Sequence, residues 1–221
     1  MLLAFDTSTR LTGIALYSEE FGLISECCWR SANQHTTELM PSVVRMLAQA
    51  GVPAASLQAV AVALGPGSFT GVRVALAAAK GLALARGLAL LGVPTLDVVA
   101  YPHRYQPLPV VALVPAGRSR VCWAVYAHCA DGWRATTAFA LASTAALADT
   151  VEGPALFAGE LSAADRADLA VRLGDRAQIL PPALALRRPG YLAEMAWTRY
   201  LAGQRDDPAS LTPIYLREPA S

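Results

Sequence analysis

Apolar and polar positions divide the chain into strand-like and helix-like segments. Three short segments rich in β-formers open it, Leu2–Phe5, Thr12–Tyr17 and Leu23–Trp29, and the turn residues between them predict a three-stranded meander. His35–Ala50 follows, with apolar residues at three- and four-residue steps, the period of an amphipathic helix. Gly51 is expected to end that helix.

A second group of elements follows the first helix. Leu57–Leu64 is an apolar run bounded by turn residues, which predicts a buried strand. The turn Gly65–Ser68 separates it from Phe69–Arg86, a predicted helix dominated by Ala, Val and Leu. Leu88–Val93 predicts another strand, and Pro94–Tyr101 a short helix or turn.

The same order of elements begins again after a polar segment, His103–Pro109, which contains two prolines and is the best linker candidate. A shift of 109 residues lays Leu2–Tyr17 over Val111–Tyr126 and aligns an alanine pair and a tyrosine pair. This repetition favours a duplicated α/β fold over two unrelated domains. The expected strands here are Val110–Val114, Val121–His128, Arg134–Phe139 and Ala155–Phe157, and the expected helices are Leu141–Thr150, Ser162–Arg172 and Arg188–Leu201.

Composition excludes several classes of protein. Of 221 residues, 54% are hydrophobic and 16% charged, which excludes a disordered chain, and a net charge of +1 is unlike a stand-alone nucleic-acid binder. The uncharged stretch between Arg45 and Arg73 is broken by Gly51, Pro53 and Gly65–Gly67, so no membrane helix is predicted. No basic residues precede the first apolar residues, so a cytoplasmic protein is expected.

The first segment with possible chemistry is Asp6-Thr7-Ser8-Thr9, at the end of the first predicted strand. An acid followed by hydroxyl residues in a tight turn can hold Mg²⁺ through water and contact phosphate. It can equally satisfy the backbone of its own turn. In the 109-residue register Asp6 falls opposite Pro115, which offers neither a carboxylate nor an N–H, so half of a two-lobed nucleotide site is missing.

The second segment is Leu64–Arg73, with the sequence LGPGSFTGVR. It leads from a strand through a glycine-rich turn to a helix N-terminus, where free N–H groups and Arg73 could receive an anion. The alternative is a tight connection whose glycines permit close packing. No catalytic residue, cofactor or metal is expected, because the three histidines and four cysteines lack the spacings of metal ligands and no nucleophile with a base is evident.

Four segments together resemble the TsaB/YeaZ family. They are LLAFDTSTRLTGIALY within Met1–Tyr17, HTTELMP at His35–Pro41, LGPGSFTGVR at Leu64–Arg73 and PIYLR at Pro213–Arg217. The glycine-rich segment is specific, whereas the opening strand is shared with a wider superfamily. Many family members have Asp-Ala-Arg where this chain has Pro115-Ala116-Gly117-Arg118, so a nucleotide contact in the second half is not expected.

The resemblance implies an actin-like (ASKHA, ribonuclease H-like) fold of two lobes, each a mixed sheet flanked by helices. Residues 1–103, joined by 204–221, would form the first lobe, and residues 104–203 the second. It also implies a non-catalytic subunit of the bacterial complex that makes N6-threonylcarbamoyladenosine at A37 of ANN-decoding tRNAs. Its partners would be the catalytic TsaD subunit, which carries a metal-binding HxxxH, and the ATPase TsaE. Contact with tRNA would come only through the complex, and the chain alone could form a homodimer.

The resemblance further places the TsaD contact on the helices His35–Ala50 and Phe69–Arg86. Alanine and glycine make the second helix smooth, so it could pack against a partner or be buried within the monomer. The residues expected at the contact are Leu39, Val43, Met46, Ala77, Lys80 and Gly81, and those of a vestigial phosphate site are Asp6, Thr7, Ser8, Gly65, Gly67 and Arg73. The rival interpretations are a small phosphotransferase using Asp6 and Gly65–Gly67, and a homodimeric scaffold.

Overall fold

A computed structural model describes residues 1–32, 34–117 and 120–216. The strands are β1 (Leu2–Asp6), β2 (Leu11–Ser18), β3 (Gly22–Arg30), β4 (Ala59–Ala63), β5 (Ala89–Val93), β6 (Val110–Pro115), β7 (Arg120–Cys129), β8 (Gly132–Ala135), β9 (Ala140–Ser143), β10 (Ala155–Gly159) and β11 (Ala177–Ile179). The helices are α1 (His35–Gln49), α2 (Phe69–Arg86), α3 (Thr95–Ala100), α4 (Thr144–Thr150), α5 (Ala163–Leu173) and α6 (Pro189–Leu201). In the described part of the chain, no helix is both long enough and apolar enough to cross a membrane.

The described chain forms two compact units, the first of Met1–Val98 with Arg188–Ile214 and the second of Val99–Arg187 with Tyr215 and Leu216. The boundaries therefore precede those expected at residues 103 and 203. The linker candidate His103–Pro109 lies inside the second unit rather than between the two. The tail up to Ile214 packs on the first unit, where the Ile214 N–H donates to the Leu64 carbonyl at 2.8 Å. Arg217, in the family-like PIYLR segment, lies outside the described residues.

The first unit is built on a mixed sheet in the order β3-β2-β1-β4-β5. Because successive side chains of a strand alternate, β1 contributes to two cores. Leu3 and Phe5 pack with α1 and α2 on one face, while Leu2 and Ala4 pack with α6 on the other. The meander and both long helices are confirmed, and α2 has its predicted bounds because Ser68 caps its start and Gly87, at φ 65°, its end.

Helix α6 corrects the predicted second lobe, to which residues 104–203 were assigned. It packs on the first sheet because Leu192, Ala193 and Ala196 are fully buried there. Its N-terminus is held by β3, since the Gly190 N–H donates to Glu26 Oε2 at 3.1 Å. Glu26 and Gly190 are 164 positions apart in the sequence, so the apolar periodicity of α6 could not show which sheet the helix packs on.

The second unit repeats the strand order of the first. Its sheet runs β11-β10-β6-β7-β8, with β9 paired to β7, so β6 occupies the central place of β1. Tyr17 pairs with Leu2 in the first sheet, and Tyr126 pairs with Val110 in the second. Equivalent residues of β2 and β7 are therefore 109 positions apart in the sequence, whereas those of β1 and β6 are 108 positions apart.

This register corrects the expectation that Asp6 is equivalent to Pro115. Asp6 pairs with Gly13, and the corresponding pair in the second sheet is Val114 with Cys122. If β1 were aligned with β6 at a shift of 109 residues instead of 108, side chains on one face of β1 would be matched with side chains on the opposite face of β6. Valine, like proline, supplies no carboxylate.

Candidate functional site

The turn between β1 and β2 is buried, and a carboxylate within it binds the backbone and hydroxyl of the same turn. Asp6, Thr7 and Ser8 are at most 2% exposed. Asp6 Oδ1 accepts hydrogen bonds from the backbone N–H of Ser8 at 2.9 Å and from its hydroxyl at 2.5 Å. This is the arrangement of an Asx turn, in which the carboxylate stabilises the local backbone.

The glycine-rich loop after β4 packs directly on this turn, and the two segments together form what we call the turn–loop contact (Asp6–Thr9 with Gly65–Gly71). The Ser68 N–H donates to the Ser8 carbonyl at 2.6 Å. A Cβ added at Gly67 would lie 2.1 Å from the Ser8 carbonyl oxygen, and one at Gly71 would lie 2.0 Å from that of Thr7. Both positions therefore require glycine because another backbone segment occupies the space of a side chain.

The residues considered for a vestigial phosphate site differ in their exposure to solvent. Gly65 is buried in the loop at φ +89°. Arg73, by contrast, is exposed on α2, and its guanidinium carbon lies 3.6 Å from the centre of the Phe69 ring. Asp6, Thr7, Ser8 and Gly65 are thus buried, whereas Arg73 lies on the surface.

The surface of α1 and α2 contains an apolar groove of about 470 Å³, which we call the α1–α2 groove. Phe69 lines it and is 55% exposed. Two further exposed apolar side chains on these helices are Val44 at 63% and Leu84 at 73%. The groove is lined by Thr36, Leu39, Met40, Phe69, Thr70, Arg73, Val74, Ala77 and Ala78.

The expected contact residues fall into two groups. Ala77 and Gly81 are exposed and Lys80 is half-buried, so the prediction for α2 identified an outward face. On α1, Leu39, Val43 and Met46 are at most 4% exposed and belong to the core beneath the helices, and of the three Leu39 alone also lines the groove. Their apolar stripe faces the sheet of the same unit. The outward residues that the sequence analysis missed are Met40, Val44, Phe69, Thr70, Val74, Ala78 and Leu84.

Comparison with known proteins decides the family. The family model described as "TsaD: tRNA N6-adenosine threonylcarbamoyltransferase" matches residues 29–220. The tRNA threonylcarbamoyladenosine biosynthesis protein TsaB of Escherichia coli is 33% identical over 133 residues, 59% of this chain. YeaZ from Pseudomonas aeruginosa superposes with a TM-score of 0.79 at 27% identity, covering 97% of this chain and 99% of that one. The chain belongs to the TsaB/YeaZ family.

Coverage differs among the TsaB/YeaZ relatives. The match spans 57% of the E. coli protein's length. An uncharacterised protein of Mycobacterium tuberculosis is 32% identical over 222 residues, 99% of this chain and 92% of that protein. The two mixed sheets flanked by helices, together with the likeness to YeaZ over almost the whole chain, confirm the predicted actin-like fold.

A buried histidine fixes the start of α1 in this TsaB/YeaZ chain. His35 is 6% exposed, and its Nδ1 lies 2.8 Å from the hydroxyl of buried Thr12 on β2. Burial lowers the pKa of His35, an effect that nearby Glu38 and Asp6 partly oppose. Glu38 is itself anchored, because it accepts a hydrogen bond from the Trp29 indole at 2.9 Å. The first turn of α1, which contributes Thr36 to the groove lining, is therefore held to the sheet.

No metal centre is evident in the described ranges. Among those residues, no group of three or more His, Cys, Asp or Glu side chains could hold a metal ion. The polar groups at the turn–loop contact stabilise the backbone, and the α1–α2 groove offers apolar surface. The arrangement is suited to binding another protein.

Proposed function

We propose that this chain is the non-catalytic subunit of the bacterial complex that installs N6-threonylcarbamoyladenosine at A37 of ANN-decoding tRNAs. In this proposal its α1–α2 groove binds a TsaD-type catalytic subunit, and a TsaE-type ATPase joins the pair. The observation that carries the proposal is the groove, an exposed apolar surface on two adjacent helices in a family with a member named for this biosynthesis. Its cellular location would be the cytoplasm.

The groove has the chemistry of a helix-packing interface. Ala77 and Gly81 lie one turn apart on the exposed face of α2, so a partner helix could approach the backbone closely. Phe69 offers a large side chain, and buried aromatic residues supply much of the binding energy of protein interfaces. The α2 sequence contains no acidic residue, so its charges, Arg73, Lys80 and Arg86, are all positive.

The turn–loop contact supports the non-catalytic assignment over the phosphotransferase. In a phosphotransferase, Asp6 and the glycine-rich loop would serve a nucleotide. Here Asp6 Oδ1 receives two hydrogen bonds from Ser8, and Gly67 and Gly71 pack against the carbonyls of the turn. The sequence also lacks the HxxxH that the family resemblance assigns to TsaD, since its histidines are His35, His103 and His128.

The pairing is tested by one charged substitution in the groove and the same substitution elsewhere. Ala77→Glu should weaken binding to the cognate TsaD-type protein by about 2–5 kcal/mol, roughly thirtyfold to several-thousandfold, through steric conflict and an unpaired buried charge. Ala167→Glu changes another exposed alanine, on α5, and should bind like the wild type. Titration calorimetry measures both, with circular dichroism to establish folding. A folded Ala77→Glu variant that binds normally would place the interface elsewhere.

The absence of intrinsic activity is tested on the purified chain. We expect no steady ATP hydrolysis and no modification of tRNA by the chain alone. ATP turnover that disappears in Asp6→Asn, with an unchanged melting temperature, would establish the phosphotransferase instead. Sedimentation of the chain alone addresses the homodimer, because a dimer that Ala77→Glu dissociates would use the same groove.

A further inference from the structure

Tyr105, in the second unit, is 83% exposed on a loop that is held by hydrogen bonds. The Arg104 N–H donates to the Tyr101 carbonyl at 3.3 Å, and the Gln106 N–H closes the next turn of the loop. From β7, the His128 ring contributes a hydrogen bond of 2.7 Å between its Nε2 and the Arg104 carbonyl oxygen. The ring is therefore carried by a fixed backbone.

An arginine orients this ring. The guanidinium carbon of Arg104 lies 4.3 Å from the centre of the Tyr105 ring and 3.7 Å from that of Tyr101. Such cation–π contacts favour a defined ring orientation. A ligand that stacks on Tyr105 would lose little side-chain freedom, because the ring is already positioned. We call Arg104 and Tyr105 the stacking platform.

The sequence around the platform is free of acidic residues. No Asp or Glu occurs from Val98 to Ala130, a stretch that contains Arg104 and two further arginines. The acid that follows, Asp131, forms an ion pair with Arg134 at 3.0 Å. The platform thus combines an exposed aromatic face with positive charge.

This combination matches the chemistry of an unpaired nucleotide, whose base stacks on aromatic rings and whose phosphate is attracted to arginine. We propose that the stacking platform of Arg104 and Tyr105 binds an unpaired nucleotide of the tRNA. The choice of tRNA as the RNA rests on the proposed function. Because the net charge of the chain is only +1, we do not expect the chain alone to bind tRNA tightly. The stacking platform would supply one of several tRNA contacts made by the complex.

The test uses the full chain co-purified with its TsaD-type partner and an unmodified tRNA transcript. Tyr105→Ala should weaken tRNA binding about tenfold, the effect of losing one stacked base, whereas Tyr105→Phe should bind like the wild type. Arg104→Ala should also weaken binding and lower the slope of log Kd against log salt concentration by about one. Phe21→Ala removes an exposed ring from the first unit and should change neither. Fluorescence anisotropy at several salt concentrations measures these quantities.

Gel filtration of the same samples separates this proposal from the proposed function. If Tyr105→Ala pairs normally and binds tRNA as tightly as the wild type, the stacking proposal is wrong and the proposed function stands. If Tyr105→Ala instead dissociates the complex, the ring contacts protein and the RNA proposal is wrong.

If the wild-type chain does not pair, the proposed function is wrong. The platform is then tested by ultraviolet crosslinking of the chain alone to concentrated tRNA. A crosslink mapped to Tyr105 supports it, and crosslinks elsewhere overturn it.

Discussion

The hydroxyl of Thr7 donates a hydrogen bond to the Gly71 carbonyl, 2.5 Å away, and joins the end of β1 to the first turn of α2. The two residues are 64 positions apart. Helix α2 also carries Phe69, Arg73 and Ala77, which line the α1–α2 groove. The position of the groove therefore depends on a buried contact behind it.

Gly71→Ala should destabilise the protein, because the new Cβ would lie 2.0 Å from the Thr7 carbonyl oxygen and the backbone must move. We expect a loss of about 3 kcal/mol in the free energy of unfolding, measured by urea titration. Gly81→Ala on the same helix meets nothing within 4 Å and should instead add about 0.5–1 kcal/mol. Equal stabilities of the two variants would contradict the role of the turn–loop contact.

Phe69→Ala should weaken binding to the TsaD-type partner by about 2–4 kcal/mol, the range of an aromatic residue central to an interface. Folding should be little affected, since Phe69 is 55% exposed in the isolated chain. Phe21→Ala, which removes a 69% exposed ring, serves as the matched control. Surface plasmon resonance compares the affinities, and equal values for both variants would remove Phe69 from the interface.

His35 should make stability depend on pH. Because burial lowers its pKa in the folded state, the unfolded chain takes up the proton first as the pH falls. Stability should be constant above about pH 6.5, the usual histidine pKa, and decrease below it. Burial also lowers the pKa of His103, so His35→Gln should reduce this decrease rather than abolish it.

The measurement is urea unfolding at pH 7.5 and pH 5.5. A decrease that is the same in His35→Gln as in the wild type would show that the Thr12–His35 contact tolerates protonation.

Glu26→Ala should destabilise α6. The carboxylate accepts hydrogen bonds from the Gly190 N–H at 3.1 Å and from Arg188 Nε at 2.6 Å, and so satisfies the helix N-terminus. Its loss should cost about 1–2 kcal/mol in thermal or urea unfolding. Asp131→Ala, which breaks the exposed pair with Arg134, should give no measurable change. Comparable effects would mean that the Glu26 contact is no stronger than a surface ion pair.

Elements with strong local signals were predicted well. The bounds of α2 follow from Ser68 and Gly87, and those of the opening meander from its turn residues. Strand β9 was missed because its sequence, Ala140–Ser143, favours a helix and becomes a strand only by pairing with β7. Strand β11, at Ala177–Ile179, is too short to show a period.

The candidate site shows a similar limit. The apolar stripe of α1 was identified, but its period does not show whether the stripe packs on the sheet of the same unit or on a partner protein. Met46 was therefore predicted at the partner contact, whereas it lies in the core. The glycine-rich loop was identified too. The space beside its glycines is occupied by the backbone of Thr7 and Ser8, about sixty residues earlier in the sequence. The loop sequence alone does not show whether a backbone segment or an anion lies there.

The turn–loop contact changes how the glycine-rich segment before α2 should be interpreted in related chains. A glycine-rich turn before a helix is usually taken as the mark of a bound phosphate. At Gly67 and Gly71 the selection for glycine would persist without any nucleotide, because each side chain would collide with a carbonyl of the same chain. Retention of this segment through evolution would then record the need to hold α2 against the turn, and a genome survey could not infer an ATP site from the motif alone.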